Sequence, residues 1–229
     1  MSELLASPLL WLFFTLAVYE GFRQAHERFG QPIWLQPMLW SLVVIVAVLL
    51  VFQIDYAVYF AGTQFLHFLL GPATVALAVP LYLALPHLKR AALPLLAVLC
   101  VGSVVGVLSA LWIAEAFALS DFSWRAFATR AVTTPIAIGV AEKIDAPIAL
   151  VAAIVGISGL FGAMMAPLLL RGIRSDIAYG FALGLGAHGV GTAFAFQRSA
   201  TAGAFAALGM SLNGLLTAFW LPWAIRPWL

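Results

Sequence analysis

Polar and charged residues interrupt a strongly apolar part of the sequence between Thr129 and Lys143. Thr134 and Pro135 have the types expected of an N-cap and a first-turn residue, because proline fits where a helix makes no use of the amide N–H. A helix that begins there exposes unpaired N–H groups and a partial positive charge, which together bind anions. Arg130 lies one turn earlier, and the stretch therefore predicts a site for a small carboxylate.

Other interpretations of this stretch stay open on sequence alone. The residues could form a connecting loop between two membrane spans. An arginine inside a membrane costs at least ~2.5–3.5 kcal/mol, so it is rarely left without a partner or a task. A substrate carboxylate is one such partner. Alternatively, Arg130 reaches a lipid headgroup or pairs with Asp121 or Glu142.

Similar combinations of small and polar residues occur at 71–74 and at 188–192. Glycine and proline within an apolar segment are typical of the broken helices of transporters. Breaks that face one cavity would supply free backbone N–H groups, hydroxyls and an imidazole. The predicted substrate-binding residues are Gly71, Pro72, Thr74, Arg130, Thr133, Thr134, Pro135, His188, Gly189, Gly191, Thr192 and Asn213.

Two of these residues have a second interpretation of equal or greater weight. Because an imidazole titrates near neutral pH, His188 suits a proton carrier, but it also suits a neutral hydrogen-bonding group in a tight turn. Asn213 either binds substrate or joins helices, and packing is the favoured interpretation.

The composition defines the class of protein. Of 229 residues, 64% are hydrophobic and 9% are charged, whereas soluble domains carry about 25% charged residues. Long runs such as 42–51 lack the polar alternation of a transmembrane barrel strand. The sequence therefore predicts an all-α polytopic membrane protein.

Several functional classes find no support. A formal net charge of +2 is too small to indicate a nucleic-acid partner. The four histidines are far apart, so no metal site is predicted. Because the sequence contains neither a nucleophile–base set nor a phosphate loop, we expect no enzyme activity and no cofactor.

Apolar segments of suitable length predict about six transmembrane helices plus broken or re-entrant helices. The predicted spans are Pro8–Tyr19, Pro37–Val51, Tyr56–Leu85 with interruptions at 71–74 and Pro80, Ala91–Ala118, Pro147–Leu170 and Ala202–Ala224. Re-entrant segments are expected at Phe122–Lys143 and Ser175–Arg198, because this arrangement collects most basic residues on one face, which is then cytoplasmic.

A weak internal repeat supports re-entrance. A shift of 55 residues aligns Ser158 with Asn213, Gly159 with Gly214, and Pro167 with Pro222. Each unit, about 133–167 and 188–222, would contain a broken segment and one crossing, which inverts the second unit relative to the first. Inverted repeats with interrupted helices are typical of secondary transporters. The whole chain, 1–229, is expected to form one transmembrane domain.

Three segments closely resemble the LrgB/CidB family, which includes holin- or antiholin-like bacterial proteins and the plastid glycolate/glycerate translocator. They are Phe65–Tyr82, Val132–Ile138 and Ala187–Ala193. The resemblance implies a multi-pass protein of the bacterial inner membrane that moves small monocarboxylates. It also implies a possible small LrgA-type partner, and we expect a homo-oligomer.

Two positions depart from the family pattern. Phe194 stands where the family often has arginine, and Gly139 stands where it often has an acidic residue. These changes bear on substrate or coupling ion. The favoured hypothesis is a secondary transporter of the glycolate, glycerate, lactate or pyruvate class. The alternative is an antiholin-like regulator of holin pores or of murein hydrolase export.

Overall fold

The computed structural model describes residues 7–30, 32, 35–76, 79, 82 and 85–228. The described residues contain helices, turns and loops but no strand. The chain divides into two compact units, residues 1–76 and 77–229. Among the described residues, four helices are long and apolar enough to cross a membrane, although one of them, Asp176–Arg198, reverses direction as described below. These apolar helices and the absence of strands from the described residues confirm an all-α polytopic membrane protein.

The first unit contains the helices α1 (Pro8–Arg28), α2 (Pro37–Val51) and α3 (Tyr56–Ala76). α1 and α3 approach closely, since a Cβ on Gly62 would lie 2.6 Å from the Pro8 carbonyl oxygen. The Thr15 hydroxyl and the Tyr59 hydroxyl, on the same two helices, are 3.0 Å apart.

The predicted end of the first span at Tyr19 is not a helix end, because α1 continues to Arg28. Arg23 forms ion pairs with Glu20 and Glu27 at helical spacing. The hydrogen bond from Arg23 lowers the pKa of Glu20 to about 2, so this pair stays charged and favours continued helix.

The predicted break at 71–74 is also wrong. α3 runs through Pro72 without interruption and reaches Ala76. A proline removes one helical hydrogen bond, and an apolar surrounding favours keeping the remaining ones within the helix. The side chains of Gly71 and Thr74, and the predicted interruption at Pro80, lie outside the described residues.

From Leu85 onward, the second unit first contains one long helix and two short ones. α4 spans Leu85–Ala116 and continues through Pro94, so it begins earlier than the predicted span. α5 (Asp121–Ala128) and α6 (Thr134–Lys143) have 8 and 10 residues. At 1.5 Å per residue, neither is long enough to cross a hydrocarbon core of about 30 Å.

Three further helices complete this unit. They are α7 (Ile148–Leu169), α8 (Asp176–Arg198) and α9 (Ala200–Ala224), and a short 3-10 turn follows at Arg226–Trp228. α7 and α9 match the predicted crossings closely. A Cβ on Gly184 of α8 would lie 1.9 Å from the Ala206 oxygen of α9, so backbone contacts backbone between these helices.

α5, the turn 129–133 and α6 form the first hairpin. Arg125 near its start lies 3.6 Å from Asp145, just beyond its end. Asp121 and Pro147 also line one shared surface cavity with these two residues. The chain therefore enters and leaves this hairpin at the same end, as predicted for a re-entrant segment.

α8 forms the second hairpin. As a straight helix of 23 residues, its ends would be about 34 Å apart. Instead, Arg198 donates to Asp176 over 2.8 Å. The chain reverses at His188, whose backbone is not helical (φ 38°, ψ −123°). The predicted break is therefore present, and α8 returns to its starting end without crossing.

The two hairpins open at opposite ends of α7. We call the end where the chain enters and leaves a hairpin its mouth. The N-terminal end of α7 follows Pro147, at the mouth of the first hairpin beside Arg125 and Asp145. Beyond its C-terminal end, the Ile173 carbonyl accepts from Arg198 at the mouth of the second. α9 runs the other way, from Ser199 beside Asp176 to Arg226 near Lys143.

Candidate functional site

The tip of the first hairpin is the turn 129–133, and the tip of the second is the reversal at His188. Both tips contact α7, at two adjacent residues. The Ser158 hydroxyl donates to the Arg130 carbonyl in the first tip over 2.9 Å. Next to it, Gly159 lies directly against the His188 ring of the second tip, since a Cβ on this glycine would be 2.3 Å from the imidazole Cε1. α7 therefore positions the two predicted breaks side by side.

α9 contacts the first tip from another direction. The Asn213 amide donates to the Ala131 carbonyl over 2.8 Å, and Asn213 is 1% exposed. A Cβ on the next residue, Gly214, would lie 2.5 Å from the Ile136 side chain. Asn213 thus joins α9 to the turn, which is the packing role that the sequence favoured.

Arg130 points from the first tip to α4. Its Nη2 donates to the Gly106 carbonyl over 3.2 Å and to the Ser109 hydroxyl over 3.4 Å. Within the described part of the chain, no carboxylate lies within ion-pair distance of Arg130. The predicted alternatives of a pair with Asp121 or Glu142 are therefore not formed, and the half-buried guanidinium is held by α4.

The helix start at the first tip is shifted by one residue from the prediction. Thr133 is the N-cap of α6, and Thr134 is already helical. The Thr133 side chain makes no capping hydrogen bond. Because Pro135 has no N–H, the first-turn donors are the amides of Thr134 and Ile136, which have no partner within their own helix. A partial positive charge accompanies them.

His188 combines burial, strain and an unused nitrogen. The residue is 4% exposed, and its Nε2 has no hydrogen-bond partner among the described residues. The backbone of Val155 interacts with the imidazole, and the charge of Arg130 also acts on it. A φ of 38° is a conformation that favours glycine.

The remaining predicted residues of the second tip serve its backbone. Thr192 donates to the His188 carbonyl over 2.9 Å and contacts the Met210 sulfur at 3.8 Å. Gly191 lets the two arms pack together, because a Cβ there would lie 2.4 Å from the Leu183 oxygen. Gly189 is exposed next to the turn.

A buried polar chain supports Asn213 and was missed by sequence reasoning. Asn213 accepts from Thr217 over 3.5 Å. The Thr217 hydroxyl is 3.1 Å from that of Ser103, to which Trp220 also donates over 3.1 Å. This chain ties α9 to α4 behind the first tip.

Other missed residues contact the tips themselves: Gly106, Ser109, Ser158 and Gly159. The shift that aligns Ser158 with Asn213 was the available signal for α7. The structure brings together Arg130, Thr133, Thr134, Pro135, His188 and Asn213 around the two tips. Gly71, Pro72 and Thr74 belong to the other compact unit.

Comparison with known proteins identifies one family over most of the chain. Residues 15–226 match the model of the LrgB-like family. The Bacillus subtilis protein YwbG is 36% identical over 90% of this chain and 92% of its own length. YxaC of the same organism is 32% identical over 96% of both chains. The Holin-like protein CidB of Staphylococcus epidermidis is 26% identical over 97% of both. No solved structure matches the chain.

Proposed function

This chain belongs to the LrgB-like family, and from that premise we propose that it is a secondary transporter of small monocarboxylates. One observation carries the proposal: two hairpins that open at opposite ends of the fold meet on α7, at Ser158 and Gly159. Broken helices that converge in this way hold the substrate of many secondary transporters, near the middle of the membrane.

The proposed architecture is one transmembrane domain, 1–229, that contains an inverted repeat. Each repeat consists of a hairpin and the crossing that follows it, and the regions that align are about 133–167 and 188–222. Pro167 and Pro222 lie near the ends of α7 and α9, and Gly159 and Gly214 each make room for the tip of a hairpin. These correspondences support the repeat, because equivalent positions do equivalent work.

We assign the carboxylate to the first tip. The Arg130 guanidinium offers a planar pair of donors that suits a carboxylate. The first-turn amides of Thr134 and Ile136 add N–H donors and the positive end of the α6 dipole. Thr133, at the N-cap, supplies a half-buried hydroxyl beside them. Together these groups compensate a single negative charge, which fits a monocarboxylate.

The proposal has three further parts, namely the other groups near the site, the substrate class and the location of the protein. His188 and Asn213 lie around the same tips. The substrate class that we propose is glycolate, glycerate, lactate or pyruvate, moved without chemical conversion. The protein would lie in the bacterial inner membrane, as a homo-oligomer and together with an LrgA-type small partner.

Transport can be tested directly with purified protein in liposomes. We expect preloaded, unlabelled glycolate or pyruvate to drive counterflow of the labelled compound. Dicarboxylates and amines should not support counterflow, because the site compensates one negative charge. Empty liposomes and liposomes that contain heat-unfolded protein are the controls. Counterflow at the level of empty liposomes for all four acids would contradict the proposal.

A second candidate function rests on the name of two similar proteins, Holin-like protein CidB of Staphylococcus epidermidis and of Staphylococcus aureus. A regulator of holin pores or of murein hydrolase export would act through protein contacts. It would not need Arg130 beside free helix amides. An unchanged lysis phenotype in cells that carry the Arg130→Ala protein, which lacks counterflow, would favour this regulatory role.

A further inference from the structure

His188 occupies a backbone conformation that glycine would adopt without strain. Its φ of 38° is one that side chains rarely adopt, so the backbone is strained at this residue. Glycines stand close by at 186, 189 and 191, so this turn is otherwise built from the residue that suits it. Strain of this kind persists where the side chain itself has a task.

The surroundings of the imidazole leave one nitrogen unused. Among the described residues, Nε2 has no hydrogen-bond partner, although His188 is 4% exposed. In a neutral imidazole one nitrogen donates and the other accepts, so a nitrogen without a partner is available for a proton or a ligand.

Space for the ring is provided by α7. A Cβ on Gly159 would lie 2.3 Å from Cε1 and 2.8 Å from Nε2. One turn earlier on the same helix, a Cβ on Gly156 would meet nothing within 4 Å. Gly159 is therefore fitted to the ring, and the two glycines form a matched pair for mutation.

The charged group that acts on His188 is Arg130, in the opposite tip. The facing parts of α7, at Val155 and Gly159, and the nearby Met210 of α9 carry no titratable group. In the empty protein a proton on Nε2 would bring a second positive charge close to Arg130. A carboxylate bound at Arg130 would remove this repulsion, because its negative charge offsets the charge of the guanidinium.

From this geometry we propose that His188 Nε2 binds one proton together with the substrate carboxylate, which makes the protein a proton–monocarboxylate symporter. The inference rests on the proposed transport function. The proton is taken from water on one side and released on the other, and no bond of the substrate changes. Since binding linkage is reciprocal, substrate favours the proton as much as the proton favours substrate.

His188→Gln and His188→Gly test this in liposomes with the membrane potential clamped. Glutamine keeps hydrogen bonding but cannot titrate, and glycine relieves the backbone strain, so that the fold survives. A gradient of one pH unit sustains about tenfold accumulation in a one-to-one symporter, since about 1.4 kcal/mol is a factor of ten. We expect wild type to approach this value and both variants to show no accumulation, and any counterflow that remains in the variants should not depend on pH.

Three further variants sharpen the test. Gly159→Ala should reduce proton-driven accumulation, and Gly156→Ala should leave it at the wild-type level. His26→Gln is the control for loss of a buried histidine, because His26 also has a nitrogen without a partner among the described residues but lies in the other unit.

Each outcome decides between the two proposals. Wild type without counterflow overturns the transport function. If the wild-type protein shows counterflow but no accumulation under a pH gradient, the transport function stands and the symport is overturned. Accumulation by both His188 variants with the wild-type pH profile shows that another group carries the proton.

Discussion

The two hairpins reverse the chain by different means. In the first, five residues at 129–133 separate two short helices, and Arg130 lies among them. In the second, the backbone of His188 alone departs from the helix, and Gly191 brings the arms into backbone contact. The open, polar turn suits ligand binding. The tight turn suits a rigid frame that presents one imidazole.

Their mouths differ as well. Arg198 donates to Asp176 over 2.8 Å and to the Ile173 and Arg174 carbonyls over 3.2 and 3.0 Å. At the first mouth Arg125 is 3.6 Å from Asp145, whose side chain is 99% exposed. The second hairpin is therefore held at its mouth by more and shorter contacts than the first.

The largest effect is expected from filling the backbone contact of the second hairpin. In Gly184→Ala, the new Cβ would lie 1.9 Å from the Ala206 oxygen, which is backbone and cannot rotate away. Overpacking usually costs about 1–3 kcal/mol and occasionally more. Gly186→Ala is the matched control, since nothing lies within 4 Å of its Cβ.

Thermal unfolding in detergent, followed by size-exclusion chromatography, measures this difference. Gly184→Ala should lower Tm by several degrees or fail to give monodisperse protein, whereas Gly186→Ala should match wild type. Equal Tm values for both variants would mean that the arms of the second hairpin do not pack on α9 as described.

The second prediction addresses the open tip. Arg130→Ala should reduce carboxylate counterflow by about tenfold or more, because a hydrogen bond to a charged group contributes about 1.5–3 kcal/mol. Arg130→Lys should rescue part of this loss, since lysine keeps the charge but not the planar pair of donors. The exposed Arg171 offers the control Arg171→Ala. Wild-type uptake by the Arg130→Ala protein would remove this residue from the site.

These contrasts also show what the sequence can predict. Thr134 and Pro135 predicted a helix start to within one residue, and the glycines around His188 predicted a real reversal, because such residue types have local backbone preferences. Gly71-Pro72 gave a similar signal inside a continuous helix. Local preference does not reveal whether a helix can absorb one missing hydrogen bond.

The partners of the tips were harder to predict. Arg130 reaches Gly106 and Ser109, more than twenty residues away in sequence. Gly159 appears in the sequence as an ordinary small residue of a clean span, and its task depends on a ring that arrives from another helix. Such contacts depend on how the helices pack together, and neither composition nor periodicity contains that information. The alignment of Ser158 with Asn213 did identify the positions along α7 and α9 that contact the first tip.

The third prediction compares the mouths. Arg198→Ala removes bonds to three residues and a contact with the Tyr179 ring at 4.2 Å. Arg125→Ala removes one long ion pair. We expect the first change to cost roughly 1.5–3 kcal/mol and the second less than about 1 kcal/mol.

Hydrogen exchange of the two hairpins measures this contrast without a full unfolding curve. Amides in α8 should lose protection in Arg198→Ala, and those in α5 should change little in Arg125→Ala. The opposite order of effects would show that the first mouth is the one that is fastened.

The smallest change in stability is expected at the start of α6. Loss of a capping hydroxyl ordinarily costs about 0.5–2 kcal/mol, but the Thr133 side chain makes no capping bond. Thr133→Val should therefore change the free energy of unfolding by no more than about 0.5 kcal/mol. Thr129→Val is the comparison, because the buried Thr129 hydroxyl donates to the Ala126 carbonyl over 2.9 Å.

A hydroxyl without an intramolecular bond, placed beside free amides, is available to a ligand. The affinity for carboxylate, measured as the half-saturating concentration in counterflow, should consequently weaken in Thr133→Val while Tm stays constant. A fall in Tm with unchanged affinity would show that Thr133 caps the helix in the membrane and does not face the substrate.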